Sequence, residues 1–283
     1  MLIGVVCAVS LAAAILLCAG AGAFAGMAWL WILPLGFAGV FLLSAALWYG
    51  LLQLMAKCAD TEKPQEKDSA FYRGVLRLTL EAVIPLLRVR IHTKGFEQAL
   101  PQGRFLLVCN HLHDIDPAML MQHFPDSQLA FIAKREVRQM ALVGPFLKKT
   151  LGQFVNREND REALKTILEC IRLIKEDKAS VAVFPEGYVS REHKLHPFRP
   201  GVFKIAQKAK VPVVVCTLRD THTALAKVVK LQPADVHLHL VGIIPAEELE
   251  NVTAVDVARR AYDMMVADLG PNLVLPLENT ENT

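Results

Sequence analysis

Residues 108–117 read Val-Cys-Asn-His-Leu-His-Asp-Ile-Asp-Pro (VCNHLHDIDP), two histidines and two acids directly behind an apolar run that begins at Phe105. The run Phe105–Cys109 has the composition of a buried strand. Asp116-Pro117 has the form of a helix start, with proline at the first helical position, where its missing N–H costs nothing. A buried strand that passes through a polar loop into a helix is the repeating unit of an α/β sheet. In such sheets ligands bind at the loops that follow the strands.

The same alternation extends in both directions. Strands are expected at Arg88–Thr93, Phe105–Cys109, Leu129–Ala133, Ser180–Phe184, Val211–Thr217 and Val236–Gly242, each a short apolar or β-branched run. Helical spacing appears at 117–124, 158–177, 200–209 and 253–268. Near-continuous apolar strands separated by helices predict an α/β domain over 88–283, with a mixed sheet covered by helices. The ending Leu277–Thr283 (LENTENT) is expected to fray.

Upstream the composition changes abruptly. Hydrophobic residues make up 53% of the 283, and mean hydropathy is +0.33. The excess has an address, because all 31 basic and 28 acidic residues fall after position 56. Residues 1–56 are expected to form a two-span membrane anchor, a transmembrane hairpin with helices near 2–22 and 28–52 turning at Gly20–Gly26. A cleavable signal over residues 1–25, offered by the small residues AGAFAG, is the alternative; a basic leading region is missing from it. Trp48 and Tyr49 suit a membrane interface, and Lys57, Lys63, Lys67, Arg73 and Arg77 follow close behind. That basic bias predicts a membrane localisation with the domain on the cytoplasmic face. A polar linker, 57–68, leads to a segment 69–87 with arginines between helically spaced apolar residues. It reads equally as an amphipathic helix on the membrane or as a helix covering the core.

Several function classes are excluded at this level. A net charge of +3 without any aromatic-plus-basic module argues against a nucleic-acid partner. The cysteines Cys7, Cys18, Cys58, Cys109, Cys170 and Cys216 are scattered without a C-x-x-C pair, which suits reduced thiols rather than disulfides or zinc. No metal site is expected. Basic clusters at Lys134–Arg138, Lys148-Lys149 and Arg157 would attract an anionic substrate or membrane.

His111 and Asp116 lie five apart, too far round for one face of a helix but able to meet across a turn. A carboxylate that fixes the imidazole tautomer and stabilises the imidazolium makes histidine a general base at neutral pH. The alternative is a helix-capping Asp116 beside a merely polar His111. His113-Asp114 also fits a metal-dependent phosphohydrolase, although no second His-rich segment supports one.

Three further segments bear on the choice: Gly152-Gln153-Phe154-Val155-Asn156-Arg157, Phe184-Pro185-Glu186-Gly187 and Val211-Pro212-Val213-Val214. With the loop at 110–116 they resemble, in order, the N-H-x-S-x-x-D, G-x-x-F-I-x-R, F-P-E-G and V-P-V-V-P blocks of the glycerolipid acyltransferases, the family of 1-acyl-glycerol-3-phosphate (lysophosphatidate) acyltransferases. The resemblance runs from about Phe105 to Thr217. It implies an acyltransferase moving a fatty acyl group from acyl-CoA or acyl carrier protein, used as co-substrate with no other cofactor, to a membrane lysolipid, with phosphatidate as product. It implies His111 as base and Asp116 as its partner. Asn110, Gly152, Phe154, Arg157, Glu186 and Gly187 would bind substrate, with Glu186 orienting Arg157 or a glycerol hydroxyl. Acylation of another lysolipid or of glycerol phosphate is the neighbouring reading.

The sequence departs from the pattern at three places. His113 stands where serine is usual, Tyr188-Val189 replace Thr-Arg, and Val215 replaces a proline. The missing arginine at 189 leaves Arg191, Lys194 or Lys204 to complete the phosphate site. Met119 and Met121 are expected in the core, His237 and His239 as a surface pair on one strand face, and Arg172, Lys175 and Lys178 as a solvated helix face.

Overall fold

A computed structural model describes residues 2–60 and 63–275; the expected fraying of LENTENT lies outside the described residues. The chain opens with two long apolar helices, α1 (Leu2–Gly20) and α2 (Trp29–Cys58), packed as a hairpin. The buried residues of α1 are Ser10, Ala14 and Cys18, one helical turn apart. Opposite them a Cβ on Gly36 would come within 3.4 Å of Ala14 Cβ. Small residues on the shared face are what let two apolar helices approach closely in lipid. The outward faces carry exposed Val9, Leu16, Leu35, Leu43 and Leu47, as lipid contact requires. Both helices are long and apolar enough to cross a membrane.

The second helix continues past the expected end at 52, and that extension is what joins anchor to domain. Leu52, Met55 and Ala56 pack with Val75 of α3 (Ala70–Leu86) and with Phe146. Trp48 donates its indole N–H to Thr79 Oγ1 (3.1 Å), and the Tyr72 hydroxyl donates to Met55 O (2.9 Å). The 69–87 segment therefore forms the expected helix, capped by Ser69, and it covers the core through Ile84. Nor is the preceding linker free: Glu66 meets Arg172 (3.1 Å) and Lys178 (3.2 Å), and Asp68 meets Arg73 (2.7 Å). Arg172 and Lys178 thus hold the linker rather than forming only a solvated face.

The domain then runs β1 (Val89–Lys94), β2 (Leu106–Cys109), α4 (Asp116–His123), β3 (Ala130–Lys134), α5 (Val143–Lys149), β4 (Gln153–Val155), α6 (Asp160–Lys175), β5 (Val181–Val183), α7 (Lys204–Ala209), β6 (Val213–Arg219), α8 (Thr221–Val229), β7 (Ala234–Ile244) and α9 (Ala254–Leu269). The strands form one sheet in the order β1-β7-β6-β2-β5-β3-β4, parallel except where β6 and β7 run antiparallel. Alternation along β2 divides the core. Leu106 and Val108 face a layer built with α6, α7 and α9, while Leu107 and Cys109 face one built with α3, α4 and α8. Helix ends follow local chemistry. Asn159 accepts from Glu162 N at the start of α6, and Thr253 and Asp256 form a reciprocal capping box at the start of α9.

Six of the seven strands stand where they were expected. The additional one, β4, lies inside the Gly152–Arg157 segment at the sheet edge. Helices α5 and α8 are also additions to the expected set, and the segment expected as a helix over 200–209 is a 3₁₀ turn followed by the short α7.

Candidate active site

Three of the four sequence blocks meet at the carboxyl ends of parallel strands. The loop 110–115 follows β2, Asn156-Arg157 follows β4, and Phe184–Gly187 follows β5. The fourth does not join them. Pro212 O accepts from Leu106 N (3.0 Å) and Val213–Val215 are fully buried between β2 and β7, so this block enters β6 at the opposite end of the sheet and serves the core.

The centre is the loop after β2. His111 Nδ1–H donates to Asp116 Oδ2 (2.8 Å), and the same oxygen accepts from Leu112 N (2.6 Å) and His113 N (2.9 Å). Asp116 has no exposed surface, and its Oδ1 has no partner. The carboxylate therefore shapes the turn and holds the imidazole; it does not cap α4, whose N-cap position is Ile115 with no side-chain cap bond. The ring of His111 stacks on Phe184 at 4.0 Å and 14°, leaving Nε2 as the nitrogen not committed to Asp116. His113 Nδ1 accepts from Ile115 N (3.3 Å), a local brace for the turn.

Glu186 does something other than orient Arg157. Its Oε1 accepts from His111 N (2.7 Å) and its Oε2 from His196 N (2.9 Å), so this buried carboxyl ties the His111 loop to the returning chain. Burial pushes it up to about 8 against the pull of those two N–H donors, with the negative charge of Asp116 adding to the rise. Ser190 N also donates to His111 O (2.8 Å), and the Tyr188 hydroxyl donates to His196 Nδ1 (2.8 Å). The unusual Tyr188 thereby closes its own loop.

Other residues expected to bind substrate also have structural duties. Asn110 is buried, with Nδ2 donating to Leu218 O (2.9 Å) and Oδ1 accepting from Leu218 N (2.7 Å); both ends of the amide are spent joining β2 to β6. At Gly152 a Cβ would fall 2.3 Å from Leu147 Cγ, so that glycine permits the turn out of α5 to pack. Phe154 O accepts from Thr166 Oγ1 (3.1 Å), which fastens β4 to α6. The N–H of Gly187 is turned inward to Phe184 O (3.1 Å).

The cationic side of the site differs from expectation. Arg157 is exposed to solvent, yet burial of its guanidinium by the surrounding protein, and then the charge of Arg199, hold it below the ordinary arginine range; Glu136 opposes the shift. Arg199, absent from the sequence-based candidates, lies across Gly187. Arg191 is exposed and acts on its neighbour Glu192, and nothing in the geometry brings it, Lys194 or Lys204 to Arg157.

Histidines elsewhere are also more engaged than expected. His239 is bonded to Asp268 (3.0 Å), which also accepts from Thr217 and Arg219, while His237 stacks on His92 across the β1–β7 register at 5.1 Å. They are therefore not a simple surface pair. Beside the 110–115 loop His193 and His222 stack at 3.7 Å, and burial followed by the charge of His193 lowers His222. Met119 is buried and Met121 packs beside it, as expected. Among the described residues no group of three or more His, Cys, Asp or Glu is arranged to hold a metal ion.

Residues 88–219 match the family model described as Acyltransferase. The 1-acyl-sn-glycerol-3-phosphate acyltransferase of Cocos nucifera is 29% identical over 149 residues, covering 52% of this chain and 48% of the coconut protein. That of Saccharomyces cerevisiae is 28% identical over 178 residues, covering 61% and 58%. The chain thus spans about half the length of the coconut relative. Among solved structures, the 1-acyl-sn-glycerophosphate (LPA) acyltransferase PlsC from Thermotoga maritima shares the fold with a TM-score of 0.58 at 20% identity, covering 77% of this chain and 95% of that one.

Proposed function

Residues 88–219 match the Acyltransferase family model, and from that premise we propose that the chain transfers a fatty acyl group from a thioester to the free hydroxyl of 1-acyl-sn-glycerol-3-phosphate, giving phosphatidate. The observation that carries the reading is the His111–Asp116 pair, buried on its carboxylate side and held at 2.8 Å with the second imidazole nitrogen left over. Nε2 takes the acceptor hydroxyl proton as that oxygen bonds to the thioester carbonyl carbon. Asp116 stabilises the imidazolium that results. Collapse of the tetrahedral intermediate breaks the C–S bond, and the departing thiolate recovers the proton from His111. No covalent acyl-enzyme and no metal enters this scheme. The donor is acyl-CoA or acyl carrier protein, neither the domain's charge nor its fold points to a nucleic acid, and the relatives named above support the acceptor.

The anchor serves the same reaction. A lysolipid resides in the bilayer, so a domain joined to α2 meets its acceptor without extracting it into water. Lys57 at the end of α2, followed by Lys63, Lys67, Arg73 and Arg77, supports a domain on the cytoplasmic face. The test is purified protein assayed with labelled lysophosphatidate and each thioester donor. His111→Ala should lower turnover by about 10²–10⁴-fold, the usual worth of a general base. Near-parental turnover in a folded variant would refute the mechanism.

A further inference from the structure

The chain lacks the arginine that its relatives' pattern places at 189, and the fold brings another to the same turn. After Glu186 the backbone makes a loop and returns, and Arg199 N donates to Pro185 O (2.8 Å). Gly187 has φ +87°, and a Cβ on it would sit 2.9 Å from Arg199 Nε and 3.1 Å from Arg199 Cδ. The missing side chain at 187 is therefore room for the stem of Arg199, which crosses the turn directly after the carboxyl that touches His111 N at 2.7 Å.

The guanidinium laid there is exposed. Its charge reaches Arg157 strongly enough to disfavour the protonated form of that side chain. Among the described residues no ion pair joins either arginine to a carboxylate; Glu136 favours the charged form of Arg157 through its field. The two guanidinium charges repel one another. An anionic ligand relieves that repulsion and supplies acceptors for both forks.

We propose that Arg199 and Arg157 together bind the phosphate monoester of the acceptor, with Arg199 taking the place of the arginine absent at 189. The inference rests on the acyl-transfer reading above and adds to it a specificity-determining residue outside the four sequence blocks. A guanidinium can offer two parallel N–H donors to a phosphate, whereas a lysine at the same place offers a point charge.

The experiment compares two acceptors with the same acyl chain, lysophosphatidate and uncharged monoacylglycerol, for the full-length protein and for Arg199→Ala and Arg199→Lys. The expected result is a ratio of kcat/KM, phosphorylated over uncharged, that falls about tenfold to a hundredfold in Arg199→Ala, mostly through the KM for lysophosphatidate, with Arg199→Lys between. An unchanged ratio in Arg199→Ala overturns the assignment, and so does an equal loss on both acceptors, which is what a purely structural role would give. Failure of the underlying reading looks different: the parent protein itself would show no preference for the phosphorylated acceptor.

Discussion

Asp116→Asn separates the two jobs of Asp116 because the substitution changes charge while nearly preserving shape. In the parent, Oδ2 receives three N–H donors and Oδ1 receives none. An asparagine that places its carbonyl at the Oδ2 position keeps all three bonds, so the turn survives. Its NH₂ replaces an oxygen that was already buried without a partner. One orphan is exchanged for another and a buried charge is removed, so stability should change by no more than about 1–2 kcal/mol. The cost falls on the reaction. A hydrogen bond to a charged group is worth about 1.5–3 kcal/mol against about 0.5–1.5 for a neutral one. Direct attraction between carboxylate and imidazolium adds up to about 4 kcal/mol at an effective dielectric near 20. Taking roughly 2–4 kcal/mol as the lost stabilisation of the imidazolium predicts a fall in kcat of about 30-fold to 1000-fold. The assay is turnover of labelled lysophosphatidate at saturating thioester, with thermal unfolding in the same detergent recorded beside it. A variant that unfolds normally and turns over within about threefold of the parent would show that Asp116 acts only as a brace.

Two further outcomes follow from the geometry. Glu186 is held up to about 8 when folded, against 4.5 for the free group. From pH 4.5 towards 8 the unfolded chain has released a proton that the folded one retains, so stability falls as pH rises, by up to about 1.4 kcal/mol per unit. Glu186→Gln removes that titration, and its melting temperature should decline less between pH 5 and 8.5 than the parent's; parallel curves would count against the raised value. For topology, the hairpin of two spans predicts both chain ends on the cytoplasmic side. Cysteines introduced at the two ends of a variant lacking Cys58 should resist a membrane-impermeant maleimide in intact cells and react in inverted vesicles, and ready labelling of the C-terminal cysteine from outside would reverse the orientation.

What could be read in the chain was what local chemistry dictates. Leu106–Cys109, Asp116-Pro117 and the capped, strongly amphipathic α6 and α9 announce themselves because burial, proline geometry and helix periodicity all act over a few residues. The His111–Asp116 contact was legible for the same reason, since five residues on a turn leave few ways to arrange it. Strand β4 was not, because three half-buried residues at a sheet edge show neither alternation nor an apolar run. Helix α5 is only seven residues long and contains Gly144 and Pro145. The duties of Asn110 and Glu186 depend on partners 108 and 75 residues away, Leu218 and His111, which no local pattern encodes. Arg199 falls between these cases. It sits between Phe198, which packs on the core, and Pro200, so a charged residue wedged between two chain-fixing ones was a signal available in the sequence.

The seam between α2 and α3 gives the anchor a mechanical role. Thirty helical residues extend about 45 Å, whereas the hydrocarbon layer is about 30 Å thick. Roughly the last ten residues of α2 would therefore stand clear of it; these carry the packing with Val75 and Phe146 and the bond to Met55, and Trp48 bonds to Thr79 just before them. The anchor acts less as a tether than as a mast rigidly stepped into the catalytic domain. A thinner bilayer would leave the spanning stretch itself too long, the mismatch that helices relieve by tilting, and a tilt of this mast would swing the sheet with it. The height of His111 above the headgroups would then become a function of membrane thickness.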